Sequence, residues 1–542
     1  MSLSGRPIPV YLTAGGSEMK ERSTGYKKGT LVCALALCVA YWGCGGRPAP
    51  VAFDSSDTGI VIGLGSAPQS LDPRLGTDVS SARVQQLLYN SLVKKTVDSN
   101  LVGDLAEKWD IVNNTTYRFF LKKNVQFHNG ETLTAYDVKA TFDSILNDAL
   151  ASPKKSAYEK LSSITVEDEY TIVFQTREPF APFLINMVMG ILPRSEIEKP
   201  DDGHGILPIG TGPFRFESRE GDDEIRLARF DSYFEGTPGL TGIRFRIIPD
   251  DTIRTMELEK GDLDFLQNNV PIDSLERLNR IETLKVMTGP GTSYYYIGFN
   301  FRMDTPLRDV RVRKALAMAL NRDSLIEHLL GGLASKATGV IPRGHWAYNP
   351  DIDQIPYDPE GARALLGEAG LTAGDDGVRL RIKFKCPQNK QSQRLAEVIQ
   401  AQWAEAGVQM EIQSLEWGTF YDDIVKGNFE TYVLSWVGVT DPDILFSIYH
   451  SDNVPPNGRN RGWFKSEPLD RLLVEGRTEL DTGKRAGIYR EAQRLIAEEL
   501  PCISLWHTHN IAVMKRNIVG YELYPAGEFD SFAKVSREIR KE

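Results

Sequence analysis

The chain has 542 residues, with 63 Lys+Arg against 73 Asp+Glu and a formal net charge of −10. Hydrophobic residues make up 41% and charged residues 25%, a globular composition that excludes wholesale disorder. The acidic balance argues against nucleic acid as a partner, because phosphate binding needs a clustered basic face. At roughly 150 residues per domain, the length predicts three or four domain-sized units or fewer large ones.

The first element in chain order is an export signal. Lys20, Arg22, Lys27 and Lys28 precede an apolar run over residues 31–42. About a dozen residues is too short for a membrane-spanning helix, which takes roughly 20. The basic-then-apolar order fits the core of a secretory signal over residues 1–44, with Met19 the expected start. Gly43-Cys44 resembles a bacterial lipobox, although Tyr41 and Trp42 replace its usual Leu and small residue. Cys44 is therefore the expected lipidation site. Residues 45–57 have tether composition. Three of the five cysteines lie in this leader. That leaves Cys386 and Cys502, read as buried free thiols rather than a pair.

Strands and helices alternate through the mature chain, the α/β pattern. Residues 60–65 read as a buried strand, 84–92 as a helix and 117–121 as a strand. Asn129-Gly130 marks a tight turn. Thr134 is expected to cap a helix, its hydroxyl accepting from the Asp137 N–H. Val138, Thr141, Phe142 and Ile145 give that helix an apolar face. Ile225 and Leu227, then Ile243, Phe245 and Ile247, alternate with arginines as half-buried strands. Asp309 caps a helix carrying Val312, Ala315, Leu316, Ala319 and Leu320. Asp358-Pro359 opens another, which Gly370 ends. A strand at 378–384, a helix at 392–406 and a strand at 408–412 form one βαβ unit, which requires a parallel strand pair.

Catalytic signatures are missing. The sequence holds no phosphate-binding glycine loop, nucleophile elbow, zincin helix or C-x-x-C. His507 and His509 would share a strand face, but no third metal ligand is within reach by sequence. Asp441 and Asp443 are a conceivable hydrolase pair; carboxylates this close more often cap helices or line loops. No metal or cofactor is expected.

Several segments together carry a family resemblance. Leu105-Ala106-Glu107-Lys108-Trp109 is similar to "LAESW", and Val125-Gln126-Phe127-His128-Asn129-Gly130 to "VKFHDG". Leu133-Thr134-Ala135-Tyr136-Asp137-Val138 is similar to "LTAEDV", and Gly210-Thr211-Gly212-Pro213-Phe214 to "GTGPY". Ile297-Gly298-Phe299-Asn300 with Asp309-Val310-Arg311-Val312-Arg313 corresponds to "LGFN…DVRVR". Tyr357-Asp358-Pro359-Glu360 and Trp436…Asp441-Pro442-Asp443 follow in order. Over about residues 58–525 the chain resembles the family 5 solute-binding proteins of ABC importers, the dipeptide, oligopeptide and nickel-binding group.

The resemblance implies an α/β, two-lobed periplasmic-binding-protein fold with a hinge. Lobe I would span 58–297, with an extra subdomain at about 103–205, and return at 505–542. Lobe II would span 298–504, with crossovers near 296–300 and 503–507. The implied function is capture of a peptide or similar small solute in the periplasm or cell envelope. Delivery would be to ABC permease and ATPase subunits, without covalent chemistry. A nickel chelate, oligosaccharide, opine or haem is the alternative cargo, and a carboxylate-dependent hydrolase the rival class. In peptide-binding relatives an aspartate three residues after the tryptophan pairs with the peptide amine. Here that position is Val439, and Asp441 lies in a loop one residue shorter. The expected ligand contacts are Trp436 and Asp441, the aromatics Tyr294, Tyr296 and Trp417, and Arg302, Arg343 and His345 for a carboxylate.

Overall fold

The computed structural model describes residues 58–199 and 205–538. The export segment, Cys44 and the tether lie outside the described residues.

An eleven-stranded sheet runs through the molecule. Its two central members are the crossover strands Leu284–Phe299 and Cys502–Lys515. Both are rich in β-branched and aromatic residues, which suit a pleated surface. They pair antiparallel from Leu284↔Lys515 to Gly298↔Cys502, with a register break between Gly289 and Ser293. Gly291 sits in that break, and a Cβ there would come within 2.3 Å of the Thr508 carbonyl. Only glycine lets the backbones approach this closely.

The neighbours of the crossover strands change on either side of the break. Toward one end Phe265–Gln267 pairs with residues 512–514, followed by Ile60–Leu64, Gly242–Ile247, Glu224–Arg229 and Phe214–Glu220. Toward the other, Thr431–Trp436 pairs with residues 294–299, followed by Leu380–Pro387 and Val408–Leu415. The apolar cores divide in the same way. One group joins residues 60–284 with 511–535, and the other lies within 294–506. A third core, over residues 92–191, belongs to a subdomain. There the helix Ala135–Leu146 packs on the four-stranded sheet Ala106–Asn113, Thr116–Leu121, Thr171–Thr176 and Leu161–Asp168.

Most sequence expectations match these elements. The βαβ unit is Leu380–Pro387, Lys390–Glu405 and Val408–Leu415, with the two strands parallel. Asp309 and Asp358 accept from the N–H groups of Arg311 and Gly361, both at 2.8 Å. Cys386 and Cys502 are free and buried. One detail differs. The helix expected at 84–92 is Val79–Leu88, because Asp78 caps it by accepting from the Ser81 N–H at 2.9 Å. Its first turn buries serines, which an apolar pattern does not reveal. At Thr134 the expected capping box is present, its side chain facing the Asp137 N–H, and the Asp137 carboxylate accepts from the Thr134 N–H at 2.8 Å and from its hydroxyl at 2.9 Å.

The 125–130 and 210–214 motifs form one structural unit. His128 Nδ1 accepts from the Gly210 N–H (3.2 Å), and Nε2 donates to the Gly212 carbonyl (3.0 Å). Burial lowers the His128 pKa to about 4. Because the folded value lies below the unfolded value near 6.5, the stabilisation is complete above pH 6.5 and is lost as pH falls through 4. His507, buried and donating to the Val340 carbonyl at 3.0 Å, is likewise held at about 4. An NMR titration is expected to show both imidazoles neutral down to pH 5, and a midpoint near 6.5 for either would contradict this packing.

Candidate functional site

A cleft of about 1070 Å³ lies beside the register break, where the two halves of the sheet meet. One wall comes from lobe I: Gly65 and Ser66 after the strand Ile60–Leu64, the segment 249–254, and Asn268 with Asn269. Both asparagines are left-handed, with φ of 57° and 48°, a conformation asparagine tolerates better than most residues. Asn268 Nδ2 donates to Asn510 Oδ1 at 3.1 Å, which ties this wall to the second crossover strand. The opposite wall is lobe II: Tyr295, residues 328–330, Ser435, Val437, and Lys390, Gln391 and Arg394 at the start of the helix Lys390–Glu405. Ser293 and residues 508–511 form the floor.

The two walls differ in charge. Lobe I carries Asp250, Asp251 and Asp273 beside the buried Arg254, whose guanidinium is held by the Ile248, Pro249 and Asn269 carbonyls, and lobe II carries Lys390 and Arg394. Lys390 and Arg394 are four apart on one helix face and enter no salt bridge among the described residues. Lobe II thus brings two cations without a salt bridge to the cleft, and lobe I brings three aspartates and one buried arginine.

A smaller pocket of about 290 Å³ opens off the lobe II wall and shares Tyr295, Ser435 and Val437 with the cleft. Trp417, 55% exposed and stacked on Tyr421 at 5.8 Å, is part of its rim.

The other expected contacts are placed elsewhere. Tyr294 and Tyr296 do share a strand face, but it is the lobe II core face, and they are 1% and 5% exposed. Their rings stack at 5.7 Å, and Tyr296 stacks on Trp436 at 6.4 Å. The Arg461 guanidinium lies 4.2 Å from the Trp436 ring centre. It is Tyr295, on the opposite face, that reaches the cleft. Asp441 pairs with Arg485 at 3.0 Å and accepts from the Asp443 N–H at 2.8 Å. Both lie at a separate pocket between the subdomain and lobe II. His345 Nδ1 accepts from the Ala347 N–H, so Nε2 donates to the Thr440 carbonyl (3.2 Å) and braces the same loop. Burial lowers its pKa. Arg302 lies over Trp463, in a groove away from the cleft. Arg343 is exposed and lines neither the cleft nor the side pocket.

The carboxylates read as a conceivable hydrolase pair each face an arginine. Asp443 lies 2.8 Å from Arg477, in charge contact without hydrogen-bond alignment. Burial pushes its pKa up to about 7. His509 Nε2 hydrogen-bonds the Ser335 hydroxyl at 2.9 Å, and no cluster of three or more potential metal ligands occurs among the described residues.

Comparison with known proteins fits this geometry. The family model for bacterial extracellular solute-binding proteins, family 5, matches residues 100–455. The chain belongs to that family. This solute-binding protein is 31% identical to the dipeptide-binding protein of Escherichia coli K12, over 87% of this chain and 93% of that one. Among solved structures, the Bacillus subtilis oligopeptide-binding protein AppA in complex with a nonapeptide superposes with a TM-score of 0.73. The match has 28% identity and covers 89% of this chain and 99% of AppA. Helicobacter pylori DppA in complex with the peptide STSA gives 0.74, at 26% identity over 89% and 99%. The fold is therefore the two-lobed α/β fold of the family's periplasmic binding proteins.

Proposed function

We propose that the protein is the receptor of a peptide importer and performs no covalent chemistry. The observation that carries this reading is the cleft's charge distribution, with Lys390 and Arg394 on lobe II and three aspartates beside the buried Arg254 on lobe I. An unmodified peptide is a zwitterion: its carboxylate suits Lys390 and Arg394, and its amine suits the lobe I aspartates. Relatives that bind dipeptides and oligopeptides support the same cargo.

In this reading the hinge is residues 290–293 and 508–511 rather than the expected crossovers near 296–300 and 503–507, so residues 294–297 go with lobe II instead of lobe I; the partners of the crossover strands change at 290–293 and 508–511. Closure brings the two charged walls onto opposite ends of one ligand, and ligand stabilises the closed state by contacts the open state lacks. Permease and ATPase subunits receive the cargo. Acylation at Cys44 holds the receptor at the membrane. Fatty-acid analogue labelling is expected to mark wild type and not Cys44→Ser, and equal labelling would sink the anchor.

A thermal-shift panel of di- to pentapeptides tests the cargo. A receptor that binds only when folded gains about 2.7 kcal/mol at a hundredfold excess of ligand over Kd. The expected result is a shift with peptides and none with N-acetylated, C-amidated versions, which lack both terminal charges. A shift with sugars or metal chelates and none with any peptide contradicts the reading.

A further inference from the structure

The subdomain meets lobe II at a point remote from the cleft. Phe180 and Ala181 lie in the loop between the strand Thr171–Thr176 and the short helix Phe183–Asn186. Their own subdomain holds this loop: Phe180 belongs to the subdomain core, and its carbonyl accepts from the Tyr117 hydroxyl at 3.3 Å. Pro179 and Pro182 flank the pair and restrict its backbone. The facing element is the C-terminal end of the lobe II helix Glu467–Thr478. The last carbonyls of a helix lack intrahelical donors, and here the Ala181 N–H donates to the Arg477 carbonyl at 2.7 Å. The Arg477 guanidinium lies 5.2 Å from the Phe180 ring centre and 3.9 Å from that of Phe446, on the lobe II helix Ile444–Tyr449. Both distances are within cation–π range. Asp443 Oδ1 lies 2.8 Å from Arg477 Nε, in charge contact. Phe180, Asp443, Phe446 and Arg477 line neither the cleft nor its side pocket.

We propose that Phe180, Ala181 and Arg477 form a closure latch: they dock the subdomain on lobe II and set the closed fraction of the receptor, whatever the cargo. The chain supplies every partner in the latch, so its contribution is the same for all ligands. A ligand that binds only the closed form has an apparent Kd equal to its intrinsic Kd divided by the closed fraction. Weakening the latch therefore weakens every cargo by one common factor, whereas losing a contact in the cleft affects some cargos more than others. Arg477 is a positioning residue in this role, since it lies outside the cleft. The proposal rests on the closing-receptor reading and not on the cargo being a peptide.

Two measurements on the full chain test it. The first needs no ligand. Pro179 and Pro182 have no amide, so residues 179–182 exchange hydrogen only at Phe180 and Ala181. Exchange there is expected to be about 3–30-fold faster in Arg477→Ala, the range of one hydrogen bond or one desolvated cation–π contact. It is expected to be about 2–5-fold faster in Phe180→Leu, which removes the ring and keeps an apolar side chain in the subdomain core. Wild-type exchange at the unfolded-chain rate, or rates unchanged in both variants, overturns the latch whatever any peptide does. The second measurement is calorimetry with Ala-Ala, Ala-Ala-Ala and Ala-Phe-Ala. Each variant is expected to weaken all three peptides by one factor, within the same ranges. The double variant is expected to weaken them no more than Arg477→Ala alone, because both substitutions remove one shared contact. Effects that add, that differ among the peptides, or that appear in urea unfolding but not in affinity overturn the latch. Exchange that responds as expected in a protein that binds none of the peptides overturns the peptide reading and sustains the latch.

Discussion

Replacing Asp441 by alanine is expected to remove about 3–5 kcal/mol of stability and to change peptide affinity less than threefold. The side chains of Asp441 and Arg485 are 19% and 8% exposed. Arg485 has one further acceptor, the Gly476 carbonyl at 2.9 Å. Without Asp441, a buried guanidinium would keep its charge and lose its counter-ion. The cost of breaking such a pair is mostly that uncompensated charge. The loop would also lose the bond from the Asp443 N–H. Asp441→Asn, which retains an acceptor for both donors, is expected to fall between wild type and alanine. Chemical denaturation read beside calorimetry separates this role from ligand contact. An alanine variant that unfolds like wild type but binds peptide tenfold more weakly would return Asp441 to the binding site.

Gly210→Ala is expected to destabilise the fold by about 3 kcal/mol, the upper end of the usual cost of overpacking. A Cβ at Gly210 would lie 2.1 Å from the Leu88 carbonyl oxygen and 2.5 Å from the Tyr89 ring. The first of these is backbone at the end of the helix Val79–Leu88 and has little freedom to retreat. Gly487→Ala is the matched control. It lies on the helix Thr482–Glu499, and a Cβ there meets nothing within 4 Å. Alanine is favoured over glycine inside a helix by roughly 0.5–1 kcal/mol, so this variant is expected to unfold later than wild type. If both substitutions shift the urea midpoint alike, the clasp at Gly210 has been misread.

These examples show where sequence was sufficient. Caps, turns and the βαβ unit depend on neighbours within a few residues, so Asp309, Asp358, Gly130 and the strand pair Leu380–Pro387 and Val408–Leu415 could be read directly. The 125–130 and 210–214 motifs could be recognised but not explained. Their partnership spans some eighty residues, and only the fold brings His128 onto Gly210 and Gly212.

The site was harder to read for a physical reason. Strand alternation says that Tyr294 and Tyr296 share a face and Tyr295 takes the other. It does not say which face is core, and the cleft received the single residue rather than the pair. Asp441 could be read as a cap, a ligand contact or an ion-pair member, because its partner Arg485 is 44 residues away. Lys390 and Arg394 did carry a local signal, since they are four apart on a helix. What the sequence lacked was the opposing wall, which arrives from residues 250–273.

The central claim is that the cleft captures a peptide and releases it unchanged. The most direct measurement is mass spectrometry of cargo. The purified protein is equilibrated with a defined peptide pool, separated from free peptide and heated. The account predicts intact peptides at one per chain, with no fragments appearing over time. Peptides recovered shortened, or a complex that retains a sugar or metal chelate and no peptide, would contradict it.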